Sequence, residues 1–183
     1  MPLKKIIWHK DSKADINTIK SVEREWNIAF PEEYLEIVLL HNSGIPELMD
    51  KNGELKSAIV DIPAWHGRST EFGLSSFYKI SKYSVKSDIL DTYNAFKERL
   101  PEPDKIFPFA ESGSGDILFF DYRKNPDRPA IVFMDHEEAF TEEDITQAEL
   151  KEKPVKEWLE MNLYPVCNSF SELLDLLYID EED

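Results

Sequence analysis

Apolar positions in the middle of the chain form short runs that predict buried β-strands. Residues 116–122 read Asp-Ile-Leu-Phe-Phe-Asp-Tyr, which places apolar side chains on both faces of a strand. Ala130–Met134 is a second such run, and the polar turn between them contains Pro126 and Pro129, which cannot donate to a ladder. We therefore predict an antiparallel hairpin, preceded by a strand at 106–110 and a glycine-containing turn at 111–115.

Two amphipathic helices are predicted before this stretch. The first, capped by Asp15, buries apolar residues spaced three or four apart, namely Ile16, Ile19, Val22 and Trp26. The second begins at Pro31, which suits the first helical position because its missing N–H costs no hydrogen bond there. It ends where Gly44 can supply a left-handed cap.

The remaining pattern places helices at both ends of the chain. A third helix opens at Ser84 or Ser87, and a closing helix opens with the capping box of Ser169 and Glu172. Strands are predicted at 77–80 and 163–167, with a short one near 57–61. These elements predict the α+β class, with a largely antiparallel β-sheet flanked by N-terminal and C-terminal helices.

The length of 183 residues fits one domain spanning 1–183, with a core at about 15–179 and an acidic insertion at about 139–162. The 21 basic and 37 acidic residues give a net charge of −16. This balance argues against a nucleic-acid partner and against an anionic membrane surface. It favours a basic protein partner, or serves solubility alone.

Cysteine content and hydropathy exclude several classes of protein. The single Cys167 excludes an intramolecular disulfide and a four-cysteine zinc site. The start of the chain has too short an apolar run for a signal peptide, and no run is long enough to span a membrane. We therefore predict a cytoplasmic protein.

The acidic residues between the hairpin and the last strand are the candidate partner-binding residues. Together with the turn residue Asp116 they form the predicted set: Asp116, Asp135, Glu137, Glu138, Glu142, Glu143 and Asp144. The competing interpretation is a solvated charged surface. Trp65 lies in a predicted loop, where it serves either as an exposed anchor for a partner or as a core residue.

Metal binding is an alternative interpretation of some of these acidic residues. Asp116, Asp121, Asp135, His136 and Glu137 offer carboxylates and an imidazole, but in no recognisable ligand spacing. In the alternative interpretation, Asp116 belongs to the glycine-containing turn, and the other residues lie on the surface where strands end.

Nucleophilic catalysis finds equally little support. Ser114 lacks the Gly-x-Ser-x-Gly pattern of a nucleophile elbow, and Cys167 in a strand is typical of a core residue. We predict no catalytic residue, no metal and no cofactor.

Five motifs carry a family resemblance over about residues 16–177. In chain order they are Pro-Glu-Glu-Tyr-Leu at 31–35, His-Asn-Ser-Gly at 41–44, Ile-Phe-Pro-Phe-Ala before a Gly-Ser-Gly-Asp turn at 106–116, Val-Phe-Met-Asp-His-Glu at 132–137 and Asn-Ser-Phe-Ser-Glu-Leu-Leu at 168–174. In this order they resemble the SUKH superfamily, which includes the fungal Smi/Knr cell-wall regulators and many bacterial proteins. The single Gly44 departs from the Asn-Gly-Gly common in that group.

The resemblance implies an α+β fold with no known catalytic site. For a bacterial member it implies an immunity protein that binds and neutralises a polymorphic toxin, often a nuclease or deaminase. For a fungal member it implies a regulatory or scaffold interaction domain. A metal-dependent hydrolase is the third hypothesis, and the oligomeric state stays open.

Overall fold

Aromatic side chains from the central strands and the first two helices meet in one buried core. The computed structural model describes residues 5–10, 12–67, 70–83 and 85–180. The strands are β1 (Ile6–His9), β2 (Ile45–Met49), β3 (Leu55–Ser57), β4 (Ile59–Ile62), β5 (Thr70–Phe77), β6 (Ile106–Ser112), β7 (Ile117–Asp121), β8 (Ala130–Met134) and β9 (Tyr164–Cys167). The α-helices are α1 (Ile16–Trp26), α2 (Glu32–Leu40), α3 (Ile89–Phe96), α4 (Glu149–Glu152), α5 (Val155–Leu159) and α6 (Phe170–Leu176).

The strands form two antiparallel sheets. The larger has the order β4-β5-β6-β7-β8-β9, so each strand pairs with its neighbour in sequence, and the smaller has the order β1-β2-β3. The predicted hairpin is confirmed as β7 and β8, and the α+β class with it. Among the described residues, none of the helices reaches the length and apolar content that crossing a bilayer requires.

The centre of the large sheet is covered on both faces, as its apolar runs predict. All five residues of β7 are buried. Tyr34 from α2 has its ring centroid 5.3 Å from that of Phe77, 5.2 Å from that of Phe120 and 5.6 Å from that of Phe170. Helix α2 therefore packs its aromatic side chain between the sheet and the closing helix.

The helix caps agree closely with the sequence. The carboxylate of Asp15 accepts from the backbone N–H of Asn17, which confirms the first cap. The hydroxyl of Ser169 accepts from the N–H of Glu172 at 3.2 Å. The carboxylate of Glu172 accepts from the N–H of Asn168 at 2.8 Å, one residue before the predicted partner.

Two predicted helix starts are corrected by the structure. Pro31 is the N-cap of α2 rather than its first helical residue, which is Glu32. Asp88 caps α3 by accepting from the N–H of Asp91 at 2.8 Å, whereas Ser87 has a φ of 64° before the cap and Ser84 lies outside the described residues.

Gly44 is needed for space rather than for a left-handed cap. The positive φ after α2 falls on Ser43, at 66°. A Cβ on Gly44 would lie 2.8 Å from the backbone oxygen of His41 and 3.1 Å from the ring of Trp8. The close packing of β1 on the end of α2 therefore excludes a side chain there.

The strand predicted at 77–80 is wrong, because β5 ends at Phe77. Tyr78 and Ile80, which follow, are buried, and the N–H of Tyr78 still donates to the carbonyl of Phe109 in β6 at 2.9 Å. The Asn42 side chain bonds the backbone of Ile80: its amide donates to the Ile80 carbonyl at 2.8 Å, and its oxygen accepts from the Ile80 N–H at 2.8 Å. The short strand expected near 57–61 is found as β3 and β4.

Candidate partner-binding face

The β7–β8 hairpin brings two predicted site residues to one end of the large sheet. Its ladder pairs Ile117 with Met134. Asp116 precedes Ile117 and Asp135 follows Met134, so both aspartates lie at the same open end of the hairpin. Hairpin register alone therefore joins residues that are far apart in sequence.

Asp116 is buried within the turn that precedes β7, with an exposed fraction of 7%. Its carboxylate accepts from the hydroxyl of Ser114 at 3.0 Å and from the backbone N–H of His136 at 3.2 Å. It also lies 2.9 Å from Nδ1 of His136. Asp116 therefore orders the turn and the His136 ring, one of the two roles that the sequence left open.

Asp135 starts an exposed turn after β8. Its Oδ1 accepts from the N–H of Glu137 at 2.9 Å and of Glu138 at 3.3 Å. This local bonding fixes the carboxylate of Asp135 against the end of the sheet. The side chains of Glu137 and Glu138 point outward beyond it and are exposed.

Trp65 contributes an aromatic side chain to the same end. Its ring centroid lies 4.4 Å from that of Phe133 in β8, and the residue is half-buried. It sits in a short 3-10 turn in which Ala64 has a φ of 63° and His66 a φ of 52°. Few non-glycine residues adopt this region. Trp65 thus packs on the core with one part and reaches the surface with another.

His66 joins this group, although the sequence gave no reason to select it. Its Nε2 lies 3.9 Å from Oδ2 of Asp135, and its Nδ1 lies 3.6 Å from Oε1 of Glu138. The ring stacks on Trp65, with centroids 5.1 Å apart. Only the tertiary fold brings this loop beside residues that come some 70 positions later.

Among the residues that the structure describes, two overlapping sets of side chains could chemically hold a cation. In the first, the ligand atoms of His66, Asp135 and Glu138 lie within 4.8 Å of one another. In the second, the same holds for Asp116, Asp135 and His136, three of the five residues weighed from the sequence. The other two, Asp121 and Glu137, belong to neither set.

The acidic segment after this turn forms short helices. A 3-10 helix at Glu142–Asp144 is capped by Thr141, whose N–H and hydroxyl both donate to Asp144, at 2.8 Å and 3.0 Å. These bonds lower the pKa of Asp144, the backbone bond most. Glu142, Glu143 and Asp144 are all exposed, and Asp144 is in addition engaged in capping.

Asn162 closes this segment at its base. Its amide donates to the carbonyls of Phe140 and Arg99, both at 2.8 Å. Its oxygen accepts from the N–H of Phe140 at 3.1 Å. The buried Asn162 thus joins the two ends of the segment at 140–162 to each other and to the rest of the chain.

A small cleft lies between this base and the Asp135 turn. We call it the Tyr164 cleft; its volume is about 190 Å³, and its lining includes Asp135, Glu138, Phe140, Met161, Asn162 and Tyr164. Burial, and then the charges of Glu138 and Asp135, raise the pKa of the Tyr164 hydroxyl. The cleft therefore combines apolar walls with a negative potential.

A larger cavity of about 550 Å³ lies at the opposite end of the hairpin. There Arg123 donates to Asp121 at 2.7 Å and to Glu160 at 3.0 Å. Lys124 and Lys156 also line it, so its rim carries both charge signs. This cavity has no preference for one sign of ligand, unlike the Tyr164 cleft.

Cys167, which also lines the larger cavity, is a half-buried residue of β9. Burial raises the pKa of its thiol to about 12. A thiol with so high a pKa is protonated at neutral pH and is a poor nucleophile. This environment fits the prediction that Cys167 is structural.

The predicted site residues thus fall into two groups. Asp135 and Glu138 meet around His66, which stacks on Trp65, and Glu137, Glu142 and Glu143 are exposed on the same stretch of chain; we call these residues together the acidic face. Asp116 and Asp144 are engaged in internal bonding beside it.

Comparison with known proteins gives one result. The model of the SMI1 / KNR4 family (SUKH-1) matches residues 13–176 of the chain. A comparison with curated proteins finds no match.

Proposed function

Because the chain belongs to the SMI1 / KNR4 family (SUKH-1), we propose that it acts as a non-catalytic protein-binding module. In this proposal it is a cytoplasmic immunity protein that binds a cognate polymorphic toxin of the nuclease or deaminase type. It neutralises the toxin by covering the basic surface on which the toxin holds its substrate.

The acidic face is the observation that carries this proposal. Asp135 and Glu138 meet there around His66, and the exposed Glu142 and Glu143 follow directly in the chain. A toxin that acts on nucleic acid is basic where it contacts phosphate, so a negatively charged surface complements it. A field of one sign also raises association rates, by roughly 10- to 1,000-fold.

Trp65 supports the same interpretation through its position at the edge of the face. Tryptophan is enriched among the residues that dominate interface energies, particularly where it is held rigidly. Here the contact with Phe133 fixes the ring from behind. A partner that covers the exposed part of Trp65 would add apolar contact to the charge attraction.

The test is charge reversal on the acidic face. The substitutions Glu142→Lys and Glu143→Lys avoid Asp144, which caps its helix. We expect the affinity for the cognate toxin domain to fall by about tenfold or more, because close charge pairs across such interfaces contribute about 1.5–7 kcal/mol. Binding is measured by calorimetry at low and moderate salt.

A matched control carries the same change in charge elsewhere. Glu25→Lys and Glu36→Lys lie on exposed positions of α1 and α2, which contribute nothing to the acidic face. We expect this variant to keep its affinity at moderate salt. Equal losses in the two variants would mean that only net charge matters, and the proposed surface would then be wrong.

Two alternatives are separated by further measurements. A regulatory scaffold of the Smi/Knr type would bind a partner without inhibiting a toxin, so a toxin activity assay with added protein distinguishes it. A metal-dependent hydrolase is favoured by the set of Asp116, Asp135 and His136. Calorimetric titration with Zn²⁺, Mn²⁺ and Mg²⁺ that shows no binding would dismiss it.

A further inference from the structure

The Tyr164 cleft has two walls of different chemistry. The turn after β8 supplies the carboxylates of Asp135 and Glu138. Phe140 from the same segment and Met161 and Tyr164 from the far side supply apolar surface. The side chain of Met161 is exposed at the mouth, with an exposed fraction of 55%.

The negative charge is held at one end of the cleft. Hydrogen bonds from the N–H groups of Glu137 and Glu138 fix the carboxylate of Asp135. The charges of Glu138 and Asp135 act on the Tyr164 hydroxyl strongly enough to raise its pKa, in addition to the effect of burial. The cleft therefore favours a cationic guest over an anionic or neutral one.

The apolar walls select among cations. A small hydrated metal ion gains nothing from Phe140, Met161 and Tyr164, whereas a cation on a long apolar stem buries that stem against them. An arginine side chain gains more than a lysine side chain, because its guanidinium can bond a carboxylate through two N–H groups and stack on a tyrosine ring.

The cleft is pre-formed by bonds within its own lining and by packing behind it. Asn162 bonds both the N–H and the carbonyl of Phe140, and the Tyr164 ring packs 6.0 Å from Phe133. A pre-formed cleft loses little conformational entropy when it is filled.

The nearby Lys and Arg side chains of this chain are engaged by groups other than Asp135 and Glu138. Arg99 donates to the carbonyls of Ala139 and Ala95. The ammonium of Lys153 lies 3.8 Å from the ring centroid of Trp158 and donates to Sδ of Met161, at the mouth of the cleft, at 3.3 Å. Within the described ranges, His66 lies against Asp135 and Glu138, and a ring nitrogen of His136 lies within 4.8 Å of the Asp135 carboxylate.

We propose that the Tyr164 cleft accepts one arginine side chain of the partner protein, with the stem between Phe140 and Met161 and the guanidinium against Tyr164 and the carboxylate of Glu138. This site lies within the surface assigned under the proposed function and rests on it for the identity of the partner. It adds a defined anchor point to an interface otherwise described by charge.

The cleft can be tested without the partner. Nα-acetyl-L-arginine methylamide is titrated into the ¹⁵N-labelled full chain and followed by NMR, with the norleucine and lysine analogues as matched probes. We expect saturable shifts at the amides of Phe140 and Tyr164 with the arginine probe. The affinity for the norleucine analogue should be lower by about tenfold or more, since it loses the charge-assisted bonds.

Neighbouring carboxylates provide the matched variants. Glu138→Gln should weaken binding of the arginine probe by about tenfold, and Tyr164→Phe should retain it, because stacking needs only the ring. Glu137→Gln removes the same charge one residue away and should change the affinity by less than about twofold.

Three results would overturn the proposal: equal binding of the arginine and norleucine probes, equal binding of the arginine and lysine probes, or equal losses in Glu137→Gln and Glu138→Gln. Because the probe test needs no toxin, its outcome is independent of the toxin-binding measurement. If the arginine probe binds in the cleft but the toxin does not bind, the proposed function is refuted. If the toxin binds but the arginine probe does not, this inference is refuted.

Discussion

Tyr34 presents a buried hydroxyl at the centre of the aromatic core. The residue has an exposed fraction of 0%, and among the residues that the structure describes its hydroxyl has no hydrogen-bond partner. Burial raises the pKa of this hydroxyl well above its usual value. The group has lost its bonds to water without gaining one in the protein, so it costs free energy in the folded state.

The variant Tyr34→Phe removes this hydroxyl and keeps the ring. An unsatisfied buried polar group costs about 1–3 kcal/mol, so we expect the free energy of unfolding to rise by about that amount. The ring contacts with Phe77, Phe120 and Phe170 remain, and no cavity is created. For a chain of this length each 1 kcal/mol corresponds to a rise in Tm of about 2–4 °C.

Tyr122 provides the matched control, because it is also buried but has a partner. Its hydroxyl donates to the carbonyl of Ala29 at 2.9 Å. Tyr122→Phe should therefore lower the free energy of unfolding by about 0.5–1.5 kcal/mol. Both variants are measured by urea unfolding followed by tryptophan fluorescence, with m-values compared to confirm two-state behaviour.

The sign of the change in the free energy of unfolding in Tyr34→Phe decides whether the Tyr34 hydroxyl destabilises or stabilises the fold. A loss of stability as large as that of Tyr122→Phe would show that the Tyr34 hydroxyl makes a stabilising hydrogen bond. The assignment of this position as a purely apolar site would then be wrong.

Two further changes test the fold and its charges. Gly44→Ala should lower the free energy of unfolding by about 1–3 kcal/mol in urea unfolding, because its Cβ would lie 2.8 Å from a backbone oxygen, whereas Gly113→Ala, with no atom within 4 Å, should be neutral. Bonds from Lys156 and then Lys105 lower the pKa of Glu102 to about 2, so its stabilisation is complete above pH about 4.5 and is lost as the pH falls toward 2. In Glu102→Gln, the urea midpoint should therefore depend less steeply on pH between about 4.5 and about 2. The difference is worth less than about 1 kcal/mol, since the pair is partly exposed. An unchanged pH dependence of the midpoint would contradict this.

The elements that were predicted correctly are those whose signal is local. Helix α1 has both its cap and its apolar spacing within twelve residues, and the β7–β8 hairpin has two apolar runs around one turn. The strand expected at 77–80 failed for the opposite reason. The apolar residues there signal burial, and the side chain of Asn42 rather than a strand satisfies the backbone of Ile80.

The first two strands were missed because their patterns are short and interrupted. Strand β1 has only four residues, and β2 contains Pro46. Such strands form because the neighbouring sheet and helices bury them, and a single sequence contains no direct record of that packing.

At the candidate site, too, local signals could be predicted from the sequence and tertiary contacts could not. The acidic residues at 135–144 stand out by composition, and the structure brings two of them, Asp135 and Glu138, together around His66. His66 could not be selected, since its contact with Asp135 depends on the packing of Trp65 against Phe133. Likewise, the bonding of Asp144 to Thr141 became visible only with the local geometry.

Because Asn162 closes it, the segment at 140–162 can vary independently of the strands on either side. Both ends of that stretch meet at one amide, so β8 and β9 keep their ladder whatever length of chain runs between Phe140 and Asn162. Doubling a loop costs only about 0.6 kcal/mol in closure entropy. The length of this excursion can therefore change at little cost in free energy, while the scaffold that folds it stays the same.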